Sequence, residues 1–495
     1  MGRVINQTIW NSLSAYIGVA LGAFNTLVLY PYAFADAPEY MGLVNLILSY
    51  ALVVSTFAQL GAPNLIVRYY SAYTEHGKKQ LFTFGIFLPL IGIGIFALLF
   101  LVFGQAILSW LSDAQLVSDY GFLLLPLVIF NIYFEVFSAI SQSFIRTVYP
   151  MFLKEVVRRI FASILLVMYW LGCIDFWGFM VLFTASYVLQ FGMLVIFLIR
   201  NKYLKLAWGL SEVKPRLLLD YGLFIFLIAG GNLLIGRIDM IMLGKLAPDA
   251  LVNVAKYTIA FFMASVINTP NKSLIAIARP LLSKAWEEND MAQIKRIYTS
   301  SCLNQFIFAG ILFVGIWVSI NDIFLLLPEK FRGGEMAFLY LGLARVYSMA
   351  TGANSLIIGA TKYYRFNLTS NIILIASAIL LNIWFIPIYG LEGAAIATLF
   401  SFVVDNTIKV LFIWIKMRIQ PFDKKALYTL LLLVASWAVG AILPNLGNAL
   451  INVLYRSLIV GVFFMVVLYQ LQLSMEVNGI IKNGLTKAKQ WIKTK

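Results

Sequence analysis

Charge is scarce in this chain: 12% of its 495 residues are charged, against about 25% in a soluble domain. Histidine is almost missing. The single one, His76, stands beside Lys78 and Lys79 in a polar stretch, where a solvated loop position explains it better than catalysis. There are two cysteines, Cys173 and Cys302, far apart and in or beside apolar segments. They exclude a disulfide framework and a metal-ligand pattern. No Gly-rich loop ends in Gly-Lys-Ser/Thr, and neither His-Glu-x-x-His nor Cys-x-x-Cys occurs. Gly77-Lys78 and Gly244-Lys245 stand without the rest of a phosphate loop. No catalytic residue, metal ligand or cofactor site is therefore nominated, and no ATP site is legible. The formal charge of +15 lies on no basic stripe of a soluble module, which argues against nucleic acid. Ala33-Phe34-Ala35 imitates a signal-peptidase site. The segment before it is too long and, with Asn11, Ser12, Ser14 and Asn25, too polar for a signal core.

What the chain has instead is apolar length. Hydrophobic residues make up 61% of it, and the mean hydropathy is +0.88. One water-soluble core cannot absorb that. A membrane span takes about 20 apolar residues, and the pattern predicts fourteen: 8–30, 41–62, 81–104, 118–142, 153–171, 175–200, 217–244, 251–274, 300–326, 335–358, 366–386, 391–415, 425–444 and 449–472. The expected class is an all-α polytopic membrane protein. Of 37 Lys and Arg, 29 fall in the segments after even-numbered spans or at the termini. These include Lys154, Arg158 and Arg159. Cations resist translocation, so both termini are expected in the cytoplasm, with lipid headgroups as natural partners. The outer loops, such as 387–390, are short. The longest inner segment, 275–299, reads as an amphipathic helix along the headgroups, with Met291, Ile294, Ile297 and Tyr298 on one face.

Three cations occupy outer loops, and five lie within spans: Arg237, Lys256, Arg345, Lys409 and Arg456. An ionised group at the bilayer centre costs about 2.5–3.5 kcal/mol on insertion scales, so each needs a partner or a wet cavity. Asp405 and Lys409 are four apart on one helix face and can pair, as a structural or a coupling pair. Lys256 and Arg456 are near enough to a surface to snorkel. Arg237 and Asp239 point to nearly opposite sides of their helix. Arg345 is too deep to snorkel, and Glu135 could face it from the other half. The candidate substrate-binding residues are Arg237, Arg345, Lys256, Asp239 and Glu135. Buried arginines with few compensating acids suit an anion, because the guanidinium fork matches phosphate.

A faint repeat runs through the chain. Ser141, Tyr149 and Phe152 match Ser355, Tyr363 and Phe366 at constant offset, and Leu182-Phe183-Thr184 matches Leu399-Phe400-Ser401. Six-span halves of like orientation are a known transporter plan. Gly359-Ala360-Thr361-Lys362, Asn382 and IPIYGLEGAAIATLFS (386–401) together resemble the C-terminal part of polysaccharide-export flippases. Those belong to the multidrug/oligosaccharidyl-lipid/polysaccharide (MOP) exporter superfamily. GRIDMIMLGKL (236–246), Tyr257-Thr258 and ARPLLSKAWEENDMAQIKRIY (278–298) resemble the same family.

The resemblance implies a MATE-like fold with two pseudo-symmetric six-helix lobes, 1–205 and 206–418. Two extra helices (419–475) and a basic cytoplasmic tail (476–495) would follow. It implies a transporter rather than an enzyme, with alternating access in a bacterial cytoplasmic membrane. The implied substrate is an undecaprenyl-pyrophosphate-linked oligosaccharide for surface polysaccharide, as for O-antigen flippases. A polysaccharide polymerase and glycosyltransferases are the implied partners. An H+ or Na+ gradient or the membrane potential would drive it. A cation-coupled multidrug exporter of the same fold is the alternative. Against it, span one lacks the acidic residue that some of those exporters use.

Overall fold

The computed structural model describes the backbone of residues 2–209, 211–213, 215, 218, 222, 230, 231, 233–269, 271–479 and 482. Side chains are described for these except 2–6, 8, 110, 271–277 and 279. Most of the first half of span seven, Lys214, Arg216, the side chains of Arg3, Lys272 and Arg279, and the lysines beyond residue 482 lie outside the described residues.

Among the described residues every regular element is helical, and ten helices are long and apolar enough to cross a membrane. Their outward faces carry large apolar side chains, including Leu101 at 77% exposure, Leu454 at 63% and Leu380 at 67%. A water-soluble protein does not expose apolar surface on this scale; hydrocarbon covers it without cost. The chain divides into two compact units, Met1–Ile259 and Ala260–Lys495. Inner and outer ends are named below as the charge pattern assigns them.

In the first unit, local chemistry sets each helix start. Pro38 opens the Pro38–Ala58 helix, where its missing N–H costs nothing. Thr74 caps Glu75–Leu111, its hydroxyl accepting from the Gly77 amide at 3.2 Å. The Asp175 carboxylate caps Phe176–Arg200, accepting from Gly178 at 2.8 Å. At the outer end Phe34, 1% exposed, lies edge-on to Tyr40, Tyr169, Phe176 and Phe179 at 4.9 to 5.8 Å. Such pairs contribute about 0.5–1.5 kcal/mol each beyond area burial, and here they tie four spans together. Gly42 lets the second span approach the next-but-five: a Cβ there would stand 1.9 Å from the Leu251 carbonyl oxygen.

Span five differs from its expected bounds. Its helical column starts at Val148 and runs through a π-helical turn, Leu153–Val157, into Arg158–Trp170. Lys154, Arg158 and Arg159, expected in an inner loop, therefore lie within the column. At about 1.5 Å per residue, Arg158 stands about 15 Å from the start of the helix. A second π turn, Asn25–Leu29 of span one, packs on the Arg158–Trp170 segment that follows. Asn25 bridges them, donating to the Arg159 carbonyl at 3.0 Å and accepting from Ser163 at 2.6 Å. Side-chain amides of this kind satisfy groups that a π turn takes out of the i, i+4 ladder.

In the second unit, Phe366–Met417 is helical over 52 residues. At 1.5 Å per residue that is about 78 Å, against a hydrocarbon core of about 30 Å, so it makes two passes. The reversal falls on Gly390, at φ 54° and ψ −124°, which a side chain would oppose. The expected loop 387–390 is thus a one-residue turn. Spans thirteen and fourteen, Lys424–Ile442 and Ala449–Gln470, pack on Met291–Trp317 through Leu433, Val460, Phe464 and Leu468 against Leu303, Ile307 and Val314.

The amphipathic helix expected over 275–299 is not one element. Asn271–Glu287 ends, and Asp290 caps a new helix by accepting from the Gln293 amide at 2.9 Å. That helix is the ninth span itself. Ile294 and Tyr298 face its core, at 2% and 0% exposure, rather than headgroups.

Candidate functional site

The first unit encloses a polar cavity of about 390 Å³. Span two supplies Ser55, Thr56 and Gln59, the following helix Asn64, and span four Asn131, Glu135 and Gln142. The π turn of span five supplies Lys154. Lys154 Nζ lies 2.5 Å from Glu135 Oε1, with the two side chains 42% and 32% exposed. A pair this wet is worth about 0–1 kcal/mol, so it leaves the cavity electrically near neutral and does little to hold the fold. Amides and hydroxyls line the remainder. Such a lining can exchange hydrogen bonds with a polyhydroxylated ligand.

Leu233 lines the same cavity, and one turn further along the chain is Arg237. Span seven is broken there. The Gly236 and Arg237 amides close three-residue turns on Leu233 and Leu234, and Ile238–Leu246 starts afresh after Arg237. Arg237 is half-buried, and its Nη1 approaches Met240 Sδ at 3.8 Å. Among the described residues no carboxylate pairs with it. The ionisable groups within electrostatic range are Tyr187 and a second arginine, Arg158. Arg158 lies over the Tyr187 ring at 5.3 Å. Arg158 and Arg237 act on each other as like charges, and an anion near both would offset that repulsion.

Asp239 points elsewhere, as its two-residue offset predicts. It is 4% exposed and accepts from the Tyr257 hydroxyl at 2.9 Å. Lys256, next to Tyr257, is half-buried and has no ion pair among the described residues.

In the second unit Arg345 is half-buried between aromatic faces, 5.0 Å from the Phe402 ring centre and 5.6 Å from that of Phe261. Glu135, expected opposite Arg345, has Lys154 as its partner within its own unit. Asp405 and Lys409 come together at 2.7 Å, 5% and 7% exposed, and the Ser370 hydroxyl also donates to Asp405. A polar seam runs beside them. Tyr347 and Thr407 share a 2.8 Å hydrogen bond, Thr351 donates to Asn406 at 2.9 Å, and Tyr298 donates to Asn354.

Arg456 does not snorkel. Its Nη1 pairs with Asp322 at 2.9 Å, and its Nη2 donates to the Leu443 and Pro444 carbonyls at 3.2 and 3.3 Å. A narrow apolar groove of about 230 Å³ opens between spans nine, ten and thirteen, lined by Phe306, Phe313, Trp317, Leu343, Leu433 and Trp437. No cluster of metal-ligating side chains occurs among the described residues.

Sequence reasoning did not nominate Lys154, Arg158 or Asp322. The first two carried a signal, since both belong to a basic run that abuts an apolar one. Both fell within the expected bounds 153–171, but their charge assigned them to the inner segment; the helix in fact starts five residues earlier, at Val148.

No protein-family profile matches the chain, and no curated protein sequence matches it significantly. Solved structures do match, at low identity. The lipid II flippase MurJ in an inward-closed conformation superposes with a TM-score of 0.74 at 16% identity, over 94% of this chain and 100% of that one. An inward-facing multidrug resistance MATE family transporter of the MOP superfamily gives 0.62 at 15%, over 82% and 98%. The Vibrio cholerae MATE transporter VcmN in its bent form gives 0.51 at 13%, over 84% and 98%. The chain has the fold that these proteins share.

Proposed function

We propose that the protein is a flippase for a lipid-linked oligosaccharide with an anionic headgroup, an undecaprenyl-pyrophosphate glycan destined for surface polysaccharide. The observation that carries the reading is the polar cavity of the first unit, which Leu233 lines one turn before Arg237, with no carboxylate on Arg237 among the described residues. Guanidinium groups bind the non-bridging oxygens of a phosphate in pairs. Hydroxyls and amides of Ser55, Gln59, Asn64, Asn131 and Gln142 offer donors and acceptors to sugar rings. The apolar groove of the second unit matches an isoprenoid chain in chemistry. Headgroup and tail would stay in different solvents during passage, and alternating access would carry only the headgroup between leaflets. Arg345, half-buried between the Phe402 and Phe261 rings, is the second unit's candidate for holding an anionic group. The setting would be a bacterial cytoplasmic membrane with both termini inside, driven by an ion gradient or the membrane potential.

A deletion strain should accumulate cytoplasm-facing lipid-linked repeat units and lose surface glycan. Arg237→Ala and Arg345→Ala should each insert normally and fail to restore export. Full complementation by both variants would refute the headgroup assignment.

One observation favours a second reading, a cation-coupled multidrug exporter. Glu135 is a cavity carboxylate, though Lys154 at 2.5 Å already offsets its charge. Raised resistance to cationic dyes on overexpression, with surface glycan unchanged in the deletion strain, would favour it.

A further inference from the structure

A different site lies at the inner end of the first unit. Residues from four elements close a pocket of about 290 Å³ there. Its walls are aromatic. Tyr70 and Phe82 stack at 5.6 Å with 8° between their planes, and Phe144 and Tyr203 stack at 4.6 Å. Its rim is cationic: Lys78, Lys79, Lys202 and Lys205 against one acid, Glu75, which Lys78 holds at 2.7 Å. That leaves three positive charges in excess.

The positive-inside tendency requires lysines on this side. It does not require them to converge on one hollow. The segment carrying Lys202 and Lys205 is fastened in place by two buried side chains of span three. Thr83 accepts from the Ala207 amide at 3.2 Å, and Gln80 bonds the Glu212 amide at 3.1 Å and Ser211 at 3.0 Å.

Lys202 adds a second observation. The Phe176–Arg200 helix ends in a Schellman turn, with the Lys202 amide on the Ile199 carbonyl and the Tyr203 amide on the Leu198 carbonyl, each at 2.9 Å. The residue at the left-handed position of that turn is commonly glycine. Here it is Lys202, at φ 58°. A β-carbon in this conformation is strained, so the lysine is kept at a cost to the turn. Just beyond it, Leu206 and Trp208 are 47% and 79% exposed, and Trp208 packs on Phe87, which itself faces outward. An exposed tryptophan on an apolar helix marks the headgroup level.

We infer that this pocket is a binding site for a phosphate-bearing anion, with the headgroup of an anionic phospholipid of the inner leaflet as its occupant. Lysines supply compact charges to phosphate oxygens, and basic pockets between spans on the cytoplasmic side take anionic lipid headgroups. The inference is independent of the substrate proposed above.

The test uses the purified full-length protein in detergent, titrated with short-chain phosphatidylglycerol, phosphatidylcholine, inorganic phosphate and glycerol phosphate. The wild type should bind phosphatidylglycerol and not phosphatidylcholine. Each lysine near an anionic surface is worth about fivefold in affinity, so K79Q/K205Q should bind about 25-fold more weakly. K424Q/K425Q, with two lysines removed from the same side outside the pocket, should match the wild type. Lys202→Gly provides an arm that misfolding cannot imitate: relief of the left-handed strain should raise the thermal midpoint while affinity falls about fivefold. Competition by millimolar phosphate or glycerol phosphate would identify a soluble anion as an occupant, and its absence would assign the site to lipid. Equal affinity of wild type, K79Q/K205Q and K202G for phosphatidylglycerol, or equal binding of both lipids, would overturn the inference.

Discussion

Asp405 and Lys409 allow the sharpest stability experiment. Their charges sit 2.7 Å apart, four residues apart on one helix, with 5% and 7% of each side chain exposed. At an effective dielectric of about 20, that separation gives a gross attraction of about 6 kcal/mol. Desolvation costs several kcal/mol per ion, so the net contribution of the pair is close to zero. The consequence is asymmetric. Lys409→Met leaves a buried carboxylate with only the Ser370 hydroxyl, and Asp405→Asn leaves a buried ammonium. Each single change should destabilise by about 3–5 kcal/mol. The double variant removes both charges and should lie within about 1 kcal/mol of the wild type, a coupling energy of several kcal/mol. SDS-induced unfolding in mixed micelles measures all four corners of the cycle. Losses in the double variant equal to the sum of the singles would refute the reasoning, because they would mean that the charges do not compensate each other. The proposed glycan export supplies the functional arm. A stable double variant that complements a deletion makes the pair structural; one that is stable and inactive makes it a coupling pair. Since Lys409 and Ser370 already occupy the carboxylate, complementation is expected.

Two further outcomes follow from contacts of the same kind. Arg456→Met should strand Asp322, 6% exposed, with only Asn452 beside it, and cost about 3–5 kcal/mol. Because Arg456 also holds the Leu443 and Pro444 carbonyls, protease cleavage within 443–448 should rise sharply, and unchanged cleavage would count against the pair as the anchor of that turn. Gly42→Ala drives a methyl to 1.9 Å from the Leu251 carbonyl oxygen and should cost about 1–3 kcal/mol by overpacking. Gly192→Ala, with nothing within 4 Å of its Cβ, should be neutral or slightly stabilising in the same unfolding assay.

The ten long apolar helices found among the described residues were legible because hydropathy averaged over twenty residues survives errors of register. The two passes of Phe366–Met417 show the limit of that averaging: the apolar run was readable, but a turn of one glycine has no loop composition to announce it. Span five shows a second limit. A basic run at 154–159 reads as a loop when charge is weighed against hydropathy, whereas the π turn at Leu153–Val157 takes those cations into the helix and gives each a different neighbour. Lys154 then meets Glu135, Arg159 meets Glu155, and Arg158 faces Tyr187. Arg159 and Glu155 keep the ordinary i,i+4 spacing, but Lys154 and Arg158 find partners on other helices, and a π turn breaks the 3.6-residue period on which face assignments rest. Asp322 stayed hidden for a different reason, since its partner Arg456 is 134 residues away. Arg237 and Arg345 needed no such detail; isolation among apolar residues was enough to single them out.

The Gly390 turn bears on how the protein is made. A membrane-insertion channel releases helices sideways into lipid, and a polar loop must cross first if a helix is to enter alone. Here nothing separates the arms: a Cβ at Gly393 would lie 2.2 Å from the Phe385 carbonyl oxygen, so the backbones touch immediately after the reversal. The ribosome has to deliver about fifty residues before either arm can settle. The two arms are therefore expected to enter as a closed hairpin, with Asp405 and Lys409 four residues apart on one arm and able to neutralise each other at the moment of entry.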